Sequence, residues 1–259
     1  MPAGGDVREV VTLHHPAMSR LEGLAHAVFT RHGGLSASPY HTLNAGYNTG
    51  DNSKNVAMNL SIIQECMGAL DCKFVNQVHG RDVQILKGGD AGPPKGVVDA
   101  DALISDVPHW ALVVKLADCQ GVMLFDPVKK VVSNVHCGWR GNRLNILGRV
   151  VALMKSEFAC RARDIRSAIG PSLGPCCAEF IDYKSLFPED FRHFMVRENH
   201  FDLWAISRAQ LLESGLLKEN IEVAGICTRC RTDLFYSYRG EGVTGRFATA
   251  VMLKAPAEA

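Results

Sequence analysis

The chain contains a series of short apolar runs, rich in Val and Ile, that are separated by polar turns. Runs of this length and composition are typical of β-strands, because a buried helix needs a longer apolar pattern. We therefore predict strands at residues 25–29, 73–78, 82–86, 100–105, 111–117, 121–125, 130–135, 165–169, 221–226 and 247–253. The Gly- and Pro-rich stretch at residues 87–96 predicts a surface loop between two of them.

Helical patterns are fewer than strand patterns. Apolar residues recur at helical spacing in three segments, residues 56–68, 145–158 and 202–215. Asp202 can cap the last of these helices, and Gly215 can end it. Because strands outnumber helices and do not alternate with them, a doubly wound parallel sheet is not expected. We predict an α+β fold with one domain over residues 1–259, in which helices cover mixed, largely antiparallel sheets.

The composition limits the class of protein. Of the 259 residues, 47% are hydrophobic, which is enough to build a substantial core. A formal net charge of +1 argues against a nucleic-acid or membrane-surface binder, since either partner calls for a basic excess. No apolar run approaches the roughly 18 residues that span a bilayer, and the first residues lack the pattern of a secretory signal. Nine cysteines, an odd number, indicate the free thiols of a reducing compartment, so we predict a soluble cytoplasmic protein.

Three strand-like runs end on residues that could bind a metal ion, namely His79, Cys119 and His136. Two imidazoles and one thiolate form a plausible zinc set, and three protein ligands leave a fourth position open, which is the pattern of a catalytic site. The three residues lie far apart in the sequence. From spacing alone each could equally be a core histidine with its hydrogen bonds satisfied, or a small buried thiol.

The turn that follows His136 has the features of an anion site. Gly138 and Arg140 lie where the chain enters a helix, so free backbone N–H groups and a fixed positive charge face the same space. A second glycine turn carries Arg31 and Ser36. The alternative for this second turn is an ordinary loop with a solvated arginine.

Four further cysteines form two short motifs. Cys176 and Cys177 follow a turn rich in Gly and Pro, and Cys227 and Cys230 have CxxC spacing. A single CxxC could be half of a structural zinc site or a redox pair. The chain has no second CxxC and no thioredoxin-like βαβ context, so the roles of these four residues stay open.

Longer motifs resemble those of one known family. In chain order they are RHGGLSASPYHTLNAGYNTGDNSKNVAMN, NQVHG, DADALIS, LADCQGVMLFDP, NVHCGWRGN, AIGPSLGPCCAEF and CTRCRTDLFYSYRGEGVTGRFATAVML. The chain resembles the laccase-domain family, also called multicopper polyphenol oxidases, from about residue 25 to residue 253. Better-supported members of that family are zinc-dependent purine nucleoside phosphorylases with adenosine deaminase activity. The resemblance implies a layered α/β/β/α fold.

The resemblance also implies a zinc ion held by His79, Cys119 and His136. Copper is a further possibility, because a soft His and Cys site binds it. Successive side chains of a strand point to opposite faces, so Cys137 is expected to face away from the metal and to pack in the core.

The resemblance places Arg31, Ser36 and Arg140 close to the catalytic pocket. Together with the turn at Gly138, these residues form the predicted phosphate site. Phosphorolysis also needs a donor near the departing purine, for which Asp118 is the candidate. We therefore predict catalytic roles for Asp118 and Arg140.

The activity implied is cleavage of adenosine, inosine and methylthioadenosine by phosphate, so the expected partners are purine nucleosides and phosphate. One alternative is a metal-free hydrolase or deamidase with Cys119 as nucleophile and His136 as base. Another is copper-dependent oxidation of polyphenols, although the chain has no HxH pair of the kind that multicopper sites use. Editing of peptidoglycan precursors and a non-catalytic interaction module are the remaining alternatives.

Overall fold

A computed structural model describes residues 9–88 and 96–255, so most of the predicted loop at 87–96 lies outside the described residues. The strands are β1 (Thr12–Leu13), β2 (Leu24–Phe29), β3 (Asp71–Lys73), β4 (Val83–Leu86), β5 (Ala102–Ser105), β6 (Trp110–Leu116), β7 (Gln120–Asp126), β8 (Val131–Cys137), β9 (Arg166–Ile169), β10 (Met195–Arg197), β11 (His200–Phe201), β12 (Ile221–Val223) and β13 (Phe247–Leu253). The helices are α1 (Pro16–Ser19), α2 (Ser53–Met67), α3 (Trp139–Arg143), α4 (Ile146–Phe158), α5 (Tyr183–Leu186), α6 (Leu203–Glu213) and α7 (Tyr238–Glu241). Among the residues described, no helix is both long and apolar enough to cross a bilayer.

Two large sheets form the centre of the molecule. The first has the strand order β1-β2-β13-β6-β3, and the second has the order β12-β9-β7-β8-β5-β4. Pairing is antiparallel in the middle of both sheets, whereas β3, β4 and β12 join at the edges as parallel strands. The small β10–β11 pair stands apart from them. The sheets are therefore mixed and largely antiparallel, as predicted.

Alternation along β6 and β7 explains how the two sheets pack. Leu112 and Val114 of β6 meet Met123 and Phe125 of β7 in a fully buried cluster between the sheets. Side chains of a strand alternate between its faces, so the intervening residues of each strand point outward to the helices. Burying a large apolar side chain contributes about 1.5–3 kcal/mol, and this double-sided burial stabilises both sheets.

Helices cover the outer face of each sheet. Helix α2 packs on the first sheet, where its Ile63 shares a buried cluster with Val113 of β6. Helices α4 and α6 pack on the second sheet, and Val150 of α4 shares a cluster with Val122 of β7. The order of layers is helix, sheet, sheet, helix. The predicted α+β class and its α/β/β/α layering are confirmed.

The three predicted helices are confirmed, and their boundaries follow from their caps. Helix α2 begins earlier than predicted because the side chain of Asn52 accepts a hydrogen bond from the N–H of Lys54. Asp202 caps α6 by accepting from the N–H of Ala205 at 2.9 Å, and Gly215 follows with a φ of +97°. The end of this helix thus agrees with the prediction.

Two of the predicted strands are wrong over half of their length or more. Of residues 73–78 only Lys73 lies in a strand, because Asn76 makes one isolated bridge to Asp99 and the chain then turns away. Of residues 221–226 only Ile221–Val223 is a strand. In both cases the chain continues without regular secondary structure to a cysteine or histidine that could bind a metal, His79 after the first segment and Cys227 after the second.

Candidate metal centre and substrate cavity

The three residues of the predicted zinc set meet at one point. The ligand atoms of His79, Cys119 and His136 all lie within 4.8 Å of one another. The Sγ atom of Cys119 is 3.8 Å from Nε2 of His79, and the two imidazole rings are edge-on with centroids 4.7 Å apart. Such separations suit a single ion with Zn–N distances of about 2.0–2.1 Å and a Zn–S distance of about 2.3 Å.

The hairpin of β7 and β8 brings two of these residues together. Its register pairs Gly121 with His136 and Gln120 with Cys137, so Cys119, just before β7, lies beside the end of β8. The short connection from β6 to β7 turns at Asp118, whose φ is +82°, an uncommon conformation for a residue with a side chain. The fold therefore fixes the thiolate and one imidazole through backbone pairing.

Asp101 orients both histidines from beneath the site. Its fully buried carboxylate accepts hydrogen bonds from Nδ1 of His136 at 2.7 Å and from the backbone N–H groups of His79 and Gly80 at 2.9 and 2.6 Å. Because Nδ1 of His136 donates to Asp101, its Nε2 is the atom left to bind a metal. Burial by itself lowers the pKa of His136, but Cys119 and Asp101 outweigh it and raise the pKa to about 9.

The surroundings of Cys119 favour its thiolate, which is the form that binds metals. Burial raises the pKa of Cys119, but the neighbouring His136 and His79 outweigh this effect and lower the pKa to about 6. Cys137 differs from Cys119 in this respect. Its side chain is fully buried in the core cluster beneath α4, and burial raises its pKa. Cys137 therefore packs in the core, while His136 faces the site.

A glycine leaves room for the ligand atoms. A Cβ atom added to Gly138 would lie 2.8 Å from Sγ of Cys119 and 3.4 Å from Cδ2 of His79. Only a residue without a side chain fits at this distance from the sulfur. The two nitrogen donors, the sulfur donor and the glycine cradle together fit a zinc ion with an open coordination position.

We expect Asp101→Asn to weaken zinc binding. The amide keeps the shape of the carboxylate but loses the charge that fixes His136, and changes of this kind lower metal affinity by about 10- to 100-fold. The zinc dissociation constant, measured by competition with a chelating dye, checks the expectation. Asp99→Asn is the matched control, because Asp99 bonds to the side chain of Asn76 and makes no bond to the ligands. Equal zinc affinities in the two variants would contradict the role given to Asp101.

We expect Gly138→Ala to weaken zinc binding by about tenfold or more, since the new methyl group displaces Cys119 or His79. The control is Gly141→Ala in helix α3, which begins directly after Gly138. Its Cβ would come no closer than 3.3 Å to the flexible side chain of Ile146. A stoichiometric zinc titration of both variants distinguishes a local clash from a general loss of helix α3. Unchanged affinity in Gly138→Ala would show that the cradle is not required.

The metal centre opens into a cavity of about 670 Å³, a volume suited to a nucleoside-sized ligand. Four basic side chains line this cavity, namely Lys115, Arg140, Arg239 and Arg246. Aromatic rings of Trp139, Phe180 and Tyr238 line it as well. A small anionic co-substrate and a flat aromatic base could therefore be bound in one space.

The predicted residue Arg140 is the cation best placed to bind an anion. Its side chain is exposed to the cavity, and its guanidinium has no hydrogen bond to any residue that the structure describes. Lys115 and Arg246 are more enclosed, and burial lowers the pKa of both. A bound anion would compensate for this desolvation. Gly138 also lines the cavity, directly before Arg140.

Arg31 and Ser36 do not line the cavity, contrary to what the sequence led us to expect. Arg31 is buried, and its Nη1 donates to Oε1 of Glu241 at 2.8 Å and to the carbonyl of Thr232 at 2.7 Å. Ser36 is buried and accepts a hydrogen bond from Nδ2 of Asn59. Their polar groups are engaged within the protein, so we leave both out of the phosphate site proposed below.

Asp118 lines the cavity, but both oxygens of its carboxylate already accept hydrogen bonds from other residues. Oδ1 accepts from the hydroxyls of Thr228 and Ser237, both at 2.7 Å, and Oδ2 accepts from the backbone N–H of Arg239 at 2.6 Å. These bonds tie the segment around residues 228–239 to the loop that carries Cys119. Asp118 is therefore better suited to position this loop than to donate a proton to a purine.

Three of the basic residues in the cavity, Lys115, Arg239 and Arg246, were not predicted from the sequence. Lys115 is the charged residue in an otherwise apolar strand, which is a signal that could have been used. Arg246 directly precedes β13 and donates through Nη1 to the carbonyls of Thr244 and Gly245. Arg239 belongs to the short helix α7, and no spacing rule connects it with Cys119.

Comparison with known proteins identifies the family. The model of the family described as multi-copper polyphenol oxidoreductase laccase matches residues 25–254. The chain belongs to this family. Its laccase-family relatives include the purine nucleoside phosphorylase of Bacteroides thetaiotaomicron, 28% identical over 93% of this chain and 96% of that protein. The purine nucleoside phosphorylase YlmD of Geobacillus stearothermophilus is 32% identical over 86% of this chain and 88% of that protein.

Solved structures of similar proteins share the fold. The crystal structure of YlmD from Geobacillus stearothermophilus superposes with a TM-score of 0.84 at 29% identity, over 96% of this chain and 98% of that one. The Neisseria meningitidis protein NMB0706 gives a TM-score of 0.82 at 28% identity, over 95% of this chain and 99% of that one. The resemblance found in the sequence is confirmed.

Proposed function

We propose that the protein is a zinc-dependent purine nucleoside phosphorylase that cleaves adenosine, inosine and methylthioadenosine with phosphate. The products are the free base and ribose 1-phosphate or methylthioribose 1-phosphate. The observation that carries this proposal is the convergence of His79, Cys119 and His136 at the wall of a cavity that four basic side chains line. The names of the two curated relatives support the same reaction class.

Phosphate is bound by the basic side chains of the cavity. The Arg140 guanidinium lies over the ring of Trp139 and makes no hydrogen bond to the described residues, so its N–H groups can bind phosphate. Guanidinium–phosphate bonds are among the strongest charge-assisted hydrogen bonds. Lys115 and Arg246 add positive charge in a partly desolvated setting, where it acts more strongly than in water. A phosphate oxygen then forms a bond to ribose C1′ as the bond from C1′ to the purine nitrogen breaks.

The apolar wall holds the purine. Trp139, Phe180 and Tyr238 provide rings against which a base can stack. His79, Cys119 and His136 would hold a zinc ion, which would supply a Lewis acid at the wall of the cavity. Asp118 keeps the Cys119 loop and the Arg239 segment together around the substrate.

Deamination of adenosine is the second activity that we propose for the same cavity. It requires the same purine site, with water in place of phosphate as the co-substrate. Release of ammonia and inosine from adenosine without phosphate tests it. Absence of ammonia from a preparation that cleaves inosine would contradict this second activity alone.

The main test compares adenosine, inosine and methylthioadenosine with and without phosphate, using protein of measured zinc content. We expect free base to appear only when phosphate is present. Base release that does not depend on phosphate would make the enzyme a hydrolase, and no base release from any of the three would contradict the proposal. None of the nine cysteines forms a disulfide, which supports a cytoplasmic site of action on dissolved nucleosides.

The short distance between Cys119 and the two histidines also supports a second candidate, a metal-free hydrolase with a Cys119 thiolate as nucleophile. A thiolate that binds zinc cannot act as a nucleophile at the same time. Metal analysis of protein purified without chelator separates the two. We expect zinc at this site and slow alkylation of Cys119, whereas metal-free protein with rapid alkylation would favour the hydrolase.

A further inference from the structure

A second group of metal-binding side chains lies outside the candidate active site. Cys176 and Cys177 come from the turn after β9, and Cys227 and Cys230 come from the turn after β12. Their four Sγ atoms all lie within 4.8 Å of one another. The Sγ atom of Cys230 is 3.6 Å from that of Cys176 and 3.6 Å from that of Cys177. The fold thus joins two motifs that are more than fifty residues apart.

These distances are those of four sulfurs around one ion. A tetrahedral zinc site with Zn–S bonds of about 2.3 Å places its sulfurs about 3.8 Å apart. Sulfurs in a disulfide are only about 2.05 Å apart, and all four cysteines are free thiols. We propose that Cys176, Cys177, Cys227 and Cys230 bind a second zinc ion as a tetrathiolate site.

The surroundings of the four cysteines suit a negatively charged zinc–thiolate group. The sulfur of Cys227, the buried member, accepts a hydrogen bond from the N–H of Gly174 at 3.3 Å. Backbone N–H groups that point at a thiolate stabilise its charge. Arg197 donates to the carbonyl of Cys176 at 2.8 Å, and Arg229 lies between the two CxxC cysteines. Arg197 therefore brings one positive charge close to the backbone of the four-cysteine group.

The second ion has a structural role, because four protein ligands leave no coordination position for a substrate. It joins two segments that already touch, since the N–H of Thr228 donates to the carbonyl of Ser172 at 3.0 Å. Leu173, next to this contact, lines the substrate cavity, and its N–H donates to the carbonyl of Asp118. The ion thus holds the cavity wall that adjoins the Cys119 loop.

Zinc counting tests this proposal in the full-length protein, purified without chelator and measured by mass spectrometry of the metal. We expect two zinc ions per chain in the wild type and one in Cys230→Ser, whose side chain is exposed. Cys66→Ser is the control, because Cys66 is an exposed thiol on α2, and this variant keeps both ions. Should Cys230→Ser fail to fold, Cys176→Ser at the other exposed position provides the same measurement.

The number of zinc ions per chain in different variants distinguishes the second site from the site in the substrate cavity. Cys119→Ala loses the ion of the substrate cavity and keeps the second, whereas the double variant Cys119→Ala, Cys230→Ser contains none. A wild type with one ion, combined with an unchanged count in Cys230→Ser, overturns the second site and leaves the proposed function untouched. An inactive protein that still holds two ions supports the second site while the phosphorylase proposal fails.

Alkylation distinguishes metal binding from disulfide formation at the same four residues. We expect a chelator to expose Cys176, Cys177, Cys227 and Cys230 to alkylation together, and zinc to restore their protection. Substitution of zinc by Co²⁺ should give the intense visible absorption of a tetrahedral cobalt tetrathiolate, and this absorption should be lost in Cys230→Ser. If a reductant, but not a chelator, made these cysteines reactive toward alkylation, they would form a disulfide redox pair. That result would overturn the proposal.

Discussion

Replacing Cys119 with Ala is expected to remove one zinc ion per chain and to lower phosphorolysis by about 1,000-fold or more. The substitution removes the only sulfur ligand from a site that the structure builds from three side chains. A Lewis acid contributes several kcal/mol to such a reaction, and each 1.4 kcal/mol is a factor of about ten in rate. Metal content and kcat/KM with inosine and phosphate are the quantities to measure.

Cys66→Ala is the control for this experiment, because it removes an exposed thiol on helix α2 and leaves the site intact. Thermal unfolding of both variants should show that Cys119→Ala remains folded, because Cys119 is only partly buried and Ala keeps its Cβ against the core cluster. Full phosphorolysis by metal-free Cys119→Ala protein would contradict the role given to the metal. Retained zinc with lost activity would instead point to a nucleophilic thiolate.

Replacing Arg140 with Met is expected to raise the KM for phosphate by about 10- to 100-fold and to change the KM for the nucleoside little. Methionine keeps much of the length of the side chain and removes its charge. A hydrogen bond to a charged group contributes about 1.5–3 kcal/mol, and each 1.4 kcal/mol is a tenfold change in affinity. Initial rates over a matrix of phosphate and inosine concentrations separate the two KM values.

Arg143→Met provides the matched control for Arg140→Met. Arg143 lies on the same short helix, is exposed and does not line the cavity. A general charge effect would raise the phosphate KM of both variants equally, whereas direct binding affects Arg140→Met alone. An unchanged KM in Arg140→Met would assign phosphate to the enclosed cations Lys115 and Arg246.

Much of the fold could be predicted because its signals are local. Continuous apolar runs in β6 and β7 form strands whose two faces are both buried, and the cap at Asp202 marks where α6 begins. The segment at residues 73–78 has the same apolar character but no second strand to complete a ladder beyond Lys73. Whether an apolar segment becomes a strand depends on a neighbouring strand to pair with, and the pattern of the segment itself does not identify that neighbour.

The candidate metal centre could be predicted for a related reason. His79, Cys119 and His136 each follow an apolar run, and such positions fall at the ends of strands or in the loops beyond them. The register of β7 and β8 brings Cys119 and His136 together. The residues made a shared zinc site plausible, and the family resemblance implied it. Cys137 could be assigned to the core from the alternation of a strand.

The phosphate site could not be predicted in full, because the partners of a basic side chain lie far away in the sequence. Arg31 has the glycine-rich setting of an anion site, yet its guanidinium pairs with Glu241 near the other end of the chain. Arg246 and Lys115 reach the cavity only through the packing of the first sheet against the second. The same long-range packing turns one CxxC motif and one Cys-Cys pair into a four-sulfur cluster.

The most direct test of the central claim is ³¹P NMR of zinc-loaded protein during its reaction with inosine and inorganic phosphate. We expect a sugar 1-phosphate signal to grow in an amount equal to the hypoxanthine released, and removal of zinc to stop both. Hypoxanthine released together with free ribose, while the inorganic phosphate signal stays constant, would contradict the claim.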